Sequence, residues 1–238
     1  MNSSSIEDLA EEFAQAGGKR LRPRLCRALF DAAGGEGNLK PLENAIEYFH
    51  KASLIHDDIQ DDAITRYGKP CMHRVAGIPL AVAAGDWLVA KGYTLIAQCD
   101  FPSAPEMLAA AAASHLALCE GQARELVAVA SAGGQMQTAN CDLQTVLSIY
   151  AQKTGEAFAL AAELGAMAAG AGARIRDAAH SYGRNWGVAF QIADDMADGE
   201  GLLSTLAAKE ECVRLRERFL KKADTSAAGF FELGEWWK

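Results

Sequence analysis

The chain has 238 residues, half of them apolar, and a formal net charge of −8. That size and composition suit one helical domain, or at most two small ones, with a sizeable core and no staples, and the charge argues against a general nucleic-acid binder. An anionic substrate would need local basic clusters or bound cations to reverse the sign where it sits.

Helix formers dominate and alternating β-branched patterns are nearly absent, so the fold class read from the pattern is all-α. In chain order, helices are predicted at 6–16, 20–33, 41–62, 79–98, 104–130, 142–169, 173–198 and 204–222. The start, MNSSSIEDLAEEF, lacks a basic flank followed by an apolar stretch, which predicts no signal peptide. Gly34-Gly35 and Gly37 close the second helix. Ser103, followed by Pro105 and Glu106, reads as a capping box with proline in the first turn. Ser131-Ala-Gly-Gly breaks the chain before a helix that starts near Asp142. The segments 79–98, 104–130 and 142–169 are apolar around much of their circumference and are expected to be buried, centrally or at a subunit interface. The most membrane-like stretch, Ala157 to Ala173, is interrupted by Glu163 and too short to span a bilayer. No low-complexity linker divides the chain, so 1–238 is read as a single domain. The six cysteines are scattered, without a C-x-x-C pair or a nearby histidine at ligand spacing, which reads as reduced thiols in a cytoplasmic protein.

Two clusters conflict with helix electrostatics. Asp57-Asp58-Ile-Gln-Asp61 and Asp194-Asp195-Met-Ala-Asp198 each have the form Asp-Asp-x-x-Asp at the C-terminal end of an apolar run. Residues four apart on a helix lie one turn apart on one face, so Asp57 repels Asp61 and Asp194 repels Asp198. The macrodipole also disfavours anions at a helix C-terminus. A bound divalent cation offsets both penalties, and carboxylates with waters suit Mg²⁺ shared with substrate phosphates. The competing reading is a pair of acidic, solvated helix ends.

Gly17-Gly18-Lys19-Arg20-Leu21-Arg22-Pro23-Arg24 is the densest basic stretch, able to clamp phosphate oxygens or simply to be a solvated helix start. Arg66 lies beyond the first aspartate cluster, where a turn through Tyr67-Gly68 returns the chain beside the acidic helix end. Lys153-Thr154 interrupts an apolar helix, with snorkelling as the alternative to a functional role. His50 lies two turns before Asp57, on roughly the same face.

In order and rough spacing, GGKRLRP, YFHKASLIHDDIQDD, RYGKP, AAGDWL, EGQARE, YAQKTGEAF and FQIADDMAD resemble the motifs of trans-isoprenyl diphosphate synthases, across residues 17–198. The resemblance implies an all-α bundle around a deep central cavity, usually in a homodimer. It implies Asp57, Asp61 and Asp194 as principal Mg²⁺ ligands, with Asp58, Asp195 and Asp198 in support. It implies Arg66, Lys153, Thr154 and Gln191 on an allylic diphosphate of the geranyl or farnesyl class, and Lys19, Arg22 and His50 on isopentenyl diphosphate. The implied reaction ionises the allylic diphosphate, and isopentenyl diphosphate attacks the cation to give a chain five carbons longer. Ala52 and Ser53 stand where family members often place a bulky floor, which implies products of C20 or longer.

Three departures accompany the resemblance. The second of two arginines usual before Gly68 is Tyr67, only sixteen residues precede Gly17, and the segment after Asp198 lacks the longer lysine-containing loop. The C-terminal tryptophans are read as loosely packed, or as a partner contact. Two further readings stay open: a cyclase or lyase acting on an allylic diphosphate alone, and a catalytically weak subunit of a full-length synthase.

Overall fold

The computed structural model describes residues 5–131, 141–199, 201–203 and 206–238. Helices account for nearly all regular structure among them, in two compact units: Met1–Arg24 with Gly37–Leu108, and Leu25–Glu36 with Ala109–Lys238.

The first unit contains α1 (Ile6–Gln15), the start of α2 (Leu21–Ala32), α3 (Lys40–Gln60), the strands β1 (Thr65–Arg66) and β2 (Lys69–Pro70), α4 (Met72–Ala76), α5 (Ile78–Ala97) and the start of α6 (Ala104–Ser131). Ser5 caps α1, its hydroxyl accepting the Asp8 N–H at 3.2 Å. Helices α3 and α5 run antiparallel, with Gly85 against the His56 ring and Gly92 against Phe49. Their shared core includes Leu9, Ala10 and Ala14 of α1, Ala52 and Ile55 of α3, and Ala81, Ala84 and Leu88 of α5. Glycines and alanines dominate this seam because small side chains let helix backbones approach closely.

The second unit holds the rest of α2 and α6, then α7 (Leu143–Tyr150), a π turn (Ala151–Gly155), α8 (Glu156–Ala168), α9 (Ala173–Asp198) and α10 (Lys209–Ala227). Asp142 caps α7, accepting the Thr145 N–H at 2.7 Å. The helix expected over 142–169 is therefore two helices joined by a π turn. Gly155 explains the break. A Cβ there would lie 3.1 Å from the Arg184 carbonyl, and one at Gly187 would lie 2.9 Å from Gly155 Cα. This close approach fixes the extra residue of the π turn against α9.

The tail is packed more firmly than its sequence suggests. Trp236 is 8% exposed, its indole N–H donates to the Tyr182 hydroxyl at 3.0 Å, and its ring centre is 4.5 Å from that of Trp186. Loose packing is thus corrected for Trp236, while Trp237 is exposed. Helix α10 starts later than the expected 204, at Lys209, and residues 204–205 lie outside the described residues. One described helix, α5, is long and apolar enough to cross a membrane by length and composition, in place of the 157–173 stretch. It also carries Asp86 and Lys91 and packs along α3 through two glycines.

Candidate active site

The first aspartate motif closes α3. Asp58, its middle residue, is 1% exposed and receives Arg66 Nε at 2.9 Å and Nη2 at 2.5 Å, both on Oδ1. Its outer partners point less deeply inward: Asp57 is half-buried and Asp61 exposed. Arg66 reaches Asp58 because β1 and β2 form a tight hairpin, Thr65 pairing with Pro70 and Arg66 with Lys69. Its two turn residues, Tyr67 (φ 53) and Gly68 (φ 73), both have the left-handed backbone of a primed turn. The Cys71 thiol beside this pair is pushed up by burial, then by its hydrogen bond to Asp58 and that residue's charge. The next residues of the LIHDD and AAGDWL motifs also meet, with His56 Nε2 3.5 Å from Asp86 Oδ1.

The basic stretch begins at the end of α1. Lys19 is exposed, Arg22 half-buried, and Arg20 (φ 50) turns its guanidinium to Asn44 Oδ1 at 3.5 Å. His50 is held neutral to well below its usual range, first by burial and then by the charges of Arg22, Lys51 and Arg66. Three cations around one neutral imidazole make a local reversal of sign in an acidic chain.

The second motif closes α9 and repeats the arrangement of the first. Asp195, the middle residue, is 6% exposed, whereas Asp194 and Asp198 are exposed. Tyr150 donates its hydroxyl to Asp195 Oδ2, and Gln191 Nε2 donates to Oδ1 at 2.8 Å. Burial raises the Asp195 carboxyl above its ordinary range against the opposing pull of these donors. Gln191 Oε1 accepts from Thr154 Oγ1 at 2.5 Å, so the polar residues of the π turn and the end of α9 form one chain of hydrogen bonds. Lys153, on the same turn, pairs with Glu125 of α6. π turns inserted in helices recur at functional sites.

Within each unit the structure therefore gathers most of the expected residues. Asp57, Asp58, Asp61 and Arg66 share one helix end and hairpin; Lys153, Thr154, Gln191, Asp194, Asp195 and Asp198 share one stretch of antiparallel helices. Four residues that the sequence did not single out join them: Glu125, Tyr150, Glu47 and Lys51. Glu125 lay inside the EGQARE motif, and its spacing to Lys153 gave no hint of pairing. Glu47 and Lys51 stand four apart, which normally marks a solvated surface pair, yet both are buried.

The outward carboxylates offer only oxygen, the donor type that suits Mg²⁺. Among the described residues no three His, Cys, Asp or Glu side chains are gathered to cage a metal by themselves.

Comparison with known proteins gives the family and the fold. A model of the polyprenyl synthetase family matches residues 3–209. A short chain isoprenyl diphosphate synthase of Methanothermobacter thermautotrophicus is 36% identical over 191 residues, 79% of this chain and 57% of that protein. The farnesyl diphosphate synthase of Geobacillus stearothermophilus is 31% identical over 242 residues, 90% of this chain and 81% of its own. The chain thus spans little more than half the length of the first relative. A solved isoprenoid synthase family member from Thermotoga neapolitana superimposes with a TM-score of 0.82 at 26% identity, covering 95% of this chain and 87% of that one. A polyprenyl synthase from Caulobacter crescentus, solved with calcium and isoprenyl diphosphate, gives 0.81 at 26% identity, covering 100% and 86%. The chain is an all-α protein that belongs to the polyprenyl synthetase family.

Proposed function

We propose that this chain is a Mg²⁺-dependent prenyltransferase that condenses isopentenyl diphosphate with an allylic diphosphate of the geranyl or farnesyl class. The observation that carries this reading is the shared design of the two Asp-Asp-x-x-Asp motifs. In each, protein donors hold the middle aspartate inside, and the last carboxylate is left at the surface. A merely solvated acidic helix end has no reason to bury its middle residue.

On this reading Asp57, Asp61 and Asp194 hold the metal, with Asp198 in support, while Asp58 and Asp195 fix the two helix ends. Mg²⁺, when bound, neutralises diphosphate charge and so eases its departure. Arg66, Lys153, Thr154 and Gln191 orient the allylic diphosphate, and the charges on Arg66 and Lys153 stabilise the leaving group. Lys19, Arg22 and neutral His50 hold isopentenyl diphosphate. The allylic C–O bond breaks, the double bond of isopentenyl diphosphate forms the new C–C bond, and a proton passes to the released diphosphate. An apolar, water-poor cavity protects the cation, and residues 1–238 are read as a single domain. Ala52 and Ser53 leave room for products of C20 or longer. A homodimer and a cytoplasmic location complete the proposal.

Two observations favour other readings. Tyr67 places a neutral phenol beside the basic pocket, which suits a cyclase or lyase with no need of isopentenyl diphosphate. A relative, the heptaprenyl diphosphate synthase component 2 of Geobacillus stearothermophilus, 32% identical over 199 residues, is named as one component of a synthase, which suits a subunit role. Incubation with Mg²⁺ and farnesyl diphosphate, with and without labelled isopentenyl diphosphate, separates all three. Labelled longer diphosphates support condensation, and unlabelled hydrocarbons or alcohols support the cyclase. Turnover only with a partner supports the subunit.

A further inference from the structure

A fully buried lysine in the first unit is an expensive charge, and the structure shows what holds it. Lys51 has a relative exposure of 0%, on the face of α3 that meets the end of α1. An ammonium removed from water costs several kcal/mol unless its donors find partners. Lys51 has three N–H donors, and three acceptors surround it: the Ala16 carbonyl, the Gly17 carbonyl at 3.1 Å and the Tyr67 hydroxyl at 3.4 Å. Glu47 Oε1 stands 4.0 Å away, and the Tyr67 ring centre lies 4.6 Å from Nζ. Ala16 caps the C-terminus of α1, where carbonyls lack helical partners and a cation is favoured.

The turn that follows is moulded around this pair. Gly17 (φ 57) and Gly18 (φ 91) both take left-handed backbone. A Cβ on Gly17 would fall 2.7 Å from Tyr67 Cγ, and one on Gly18 would fall 3.3 Å from the Tyr67 hydroxyl and 3.6 Å from Lys51 Nζ. Arg20 (φ 50) then carries the strain of a non-glycine residue in the same region. From this turn emerge Lys19 and Arg22, and beside it lies His50, the next residue before Lys51 on α3.

We propose that Lys51 and Tyr67 act together as positioning residues that lock the Gly17-Gly18 turn and so fix the Lys19–Arg22 clamp for a diphosphate. This rests on the reading of that clamp as the isopentenyl diphosphate site. Neither residue touches the ligand. Lys51 ties the turn to α3, and Tyr67 fills the space that a side chain at Gly17 would need while accepting the third donor of Lys51. Position 67 is therefore not interchangeable with a cation in this chain, because a guanidinium there would face the buried ammonium at hydrogen-bond distance.

The test is a double-mutant cycle on the full chain with Lys51→Met, Tyr67→Phe, Tyr67→Arg and the Lys51→Met/Tyr67→Arg pair. Lys51→Met and Tyr67→Arg are each expected to raise KM for isopentenyl diphosphate about tenfold, the fold-change of one lost charge-assisted contact, with KM for farnesyl diphosphate moving less than about twofold. Tyr67→Phe keeps the ring, so a smaller rise is expected. The double variant is expected to recover most of the loss, because the guanidinium then replaces the ammonium against the Ala16 and Gly17 carbonyls. Unchanged KM in Lys51→Met, a lower KM in Tyr67→Arg alone, or losses that simply multiply would each overturn the proposal. Should Lys51→Met not fold, Tyr67→Phe and Tyr67→Arg carry the same decision. If the wild-type chain makes no labelled product, the condensation reading has failed. Melting temperatures of the four variants then test the anchor alone, with compensation in the double variant expected and additivity overturning it.

Discussion

The Tyr150 hydroxyl donates to the buried carboxylate of Asp195 and accepts the Leu203 N–H at 3.0 Å, so one phenol joins the end of α9 to the chain beyond it. Burial and then the Asp195 charge push this phenol up, so it stays protonated and keeps its proton in the bond. Tyr150→Phe would strand a buried carboxylate oxygen and a backbone donor together. The expected loss is about 1–3 kcal/mol of stability, read from urea unfolding. A wild-type unfolding midpoint would show that the hydroxyl does not organise this corner.

Gly187 predicts a cost of a different kind. A Cβ there would lie 2.8 Å from the Thr154 carbonyl and 2.9 Å from Gly155 Cα, both backbone atoms that cannot rotate away. Gly187→Ala is expected to cost about 1–3 kcal/mol through overpacking and to shift Thr154 off Gln191. Gly234→Ala is the control, since no atom lies within 4 Å of its Cβ position. Equal melting temperatures for the two variants would contradict this account.

The Lys153–Glu125 pair separates stability from activity. Its side chains are 24% and 14% exposed, so the ion pair is shielded but not sealed. Removing one partner of such a pair leaves the other charge uncompensated, whereas removing both is close to neutral. Glu125→Gln is expected to destabilise, and Lys153→Met/Glu125→Gln to restore the melting temperature. The double variant is nevertheless expected to lose turnover, because in the proposed function the diphosphate then lacks its cation. Full activity in that variant would remove Lys153 from the site.

A second buried acid, the first residue of α8, sets a pH dependence. Glu156 accepts from Ser114 Oγ at 2.8 Å and lies 3.6 Å from His180 Nε2, with Glu163 and Arg184 acting on the pair and Arg176 and Asp177 on Glu163. Burial opposes the Glu156 charge, but His180 and Ser114 outweigh it and hold the carboxyl below its usual value of 4.5. The hydrogen bond to Glu156 raises His180 above 6.5. The carboxylate contribution is therefore present above pH 4.5 and lost as pH falls through its lowered value; the imidazolium contribution is full below pH 6.5 and lost as pH rises through its raised value. The stability gap between wild type and His180→Asn is expected to be larger near about pH 5.5 than near about pH 8.5, by denaturant midpoints. A gap independent of pH would sink the assignment.

Much of this was legible in advance, and the misses share a cause. Helix limits followed from capping residues and glycines, so α3, α5, α6 and α9 fall within two residues of expectation. The motif residues were found because like charges at a helix end contradict local electrostatics. Lys51 and Glu47 were missed because their spacing alone reads as a surface pair, and only tertiary packing buries them. The π turn was invisible since its residues, Ala-Gln-Lys-Thr-Gly, are compatible with ordinary helix, and the constraint comes from α9 across the seam. Trp236 looked exposed because its partners, Tyr182 and Trp186, lie on a helix about fifty residues earlier in the sequence.

The extra residue in the π turn makes this stretch a phase marker for the whole chain. A regular helix advances about 100° per residue, so deleting one position between 151 and 155 would rotate every later side chain of α8 against those before it. Phe158 and Tyr150 could not then face α9 together. An engineered graft of YAQKTG onto another scaffold must therefore carry its offset along or lose the lysine's aim.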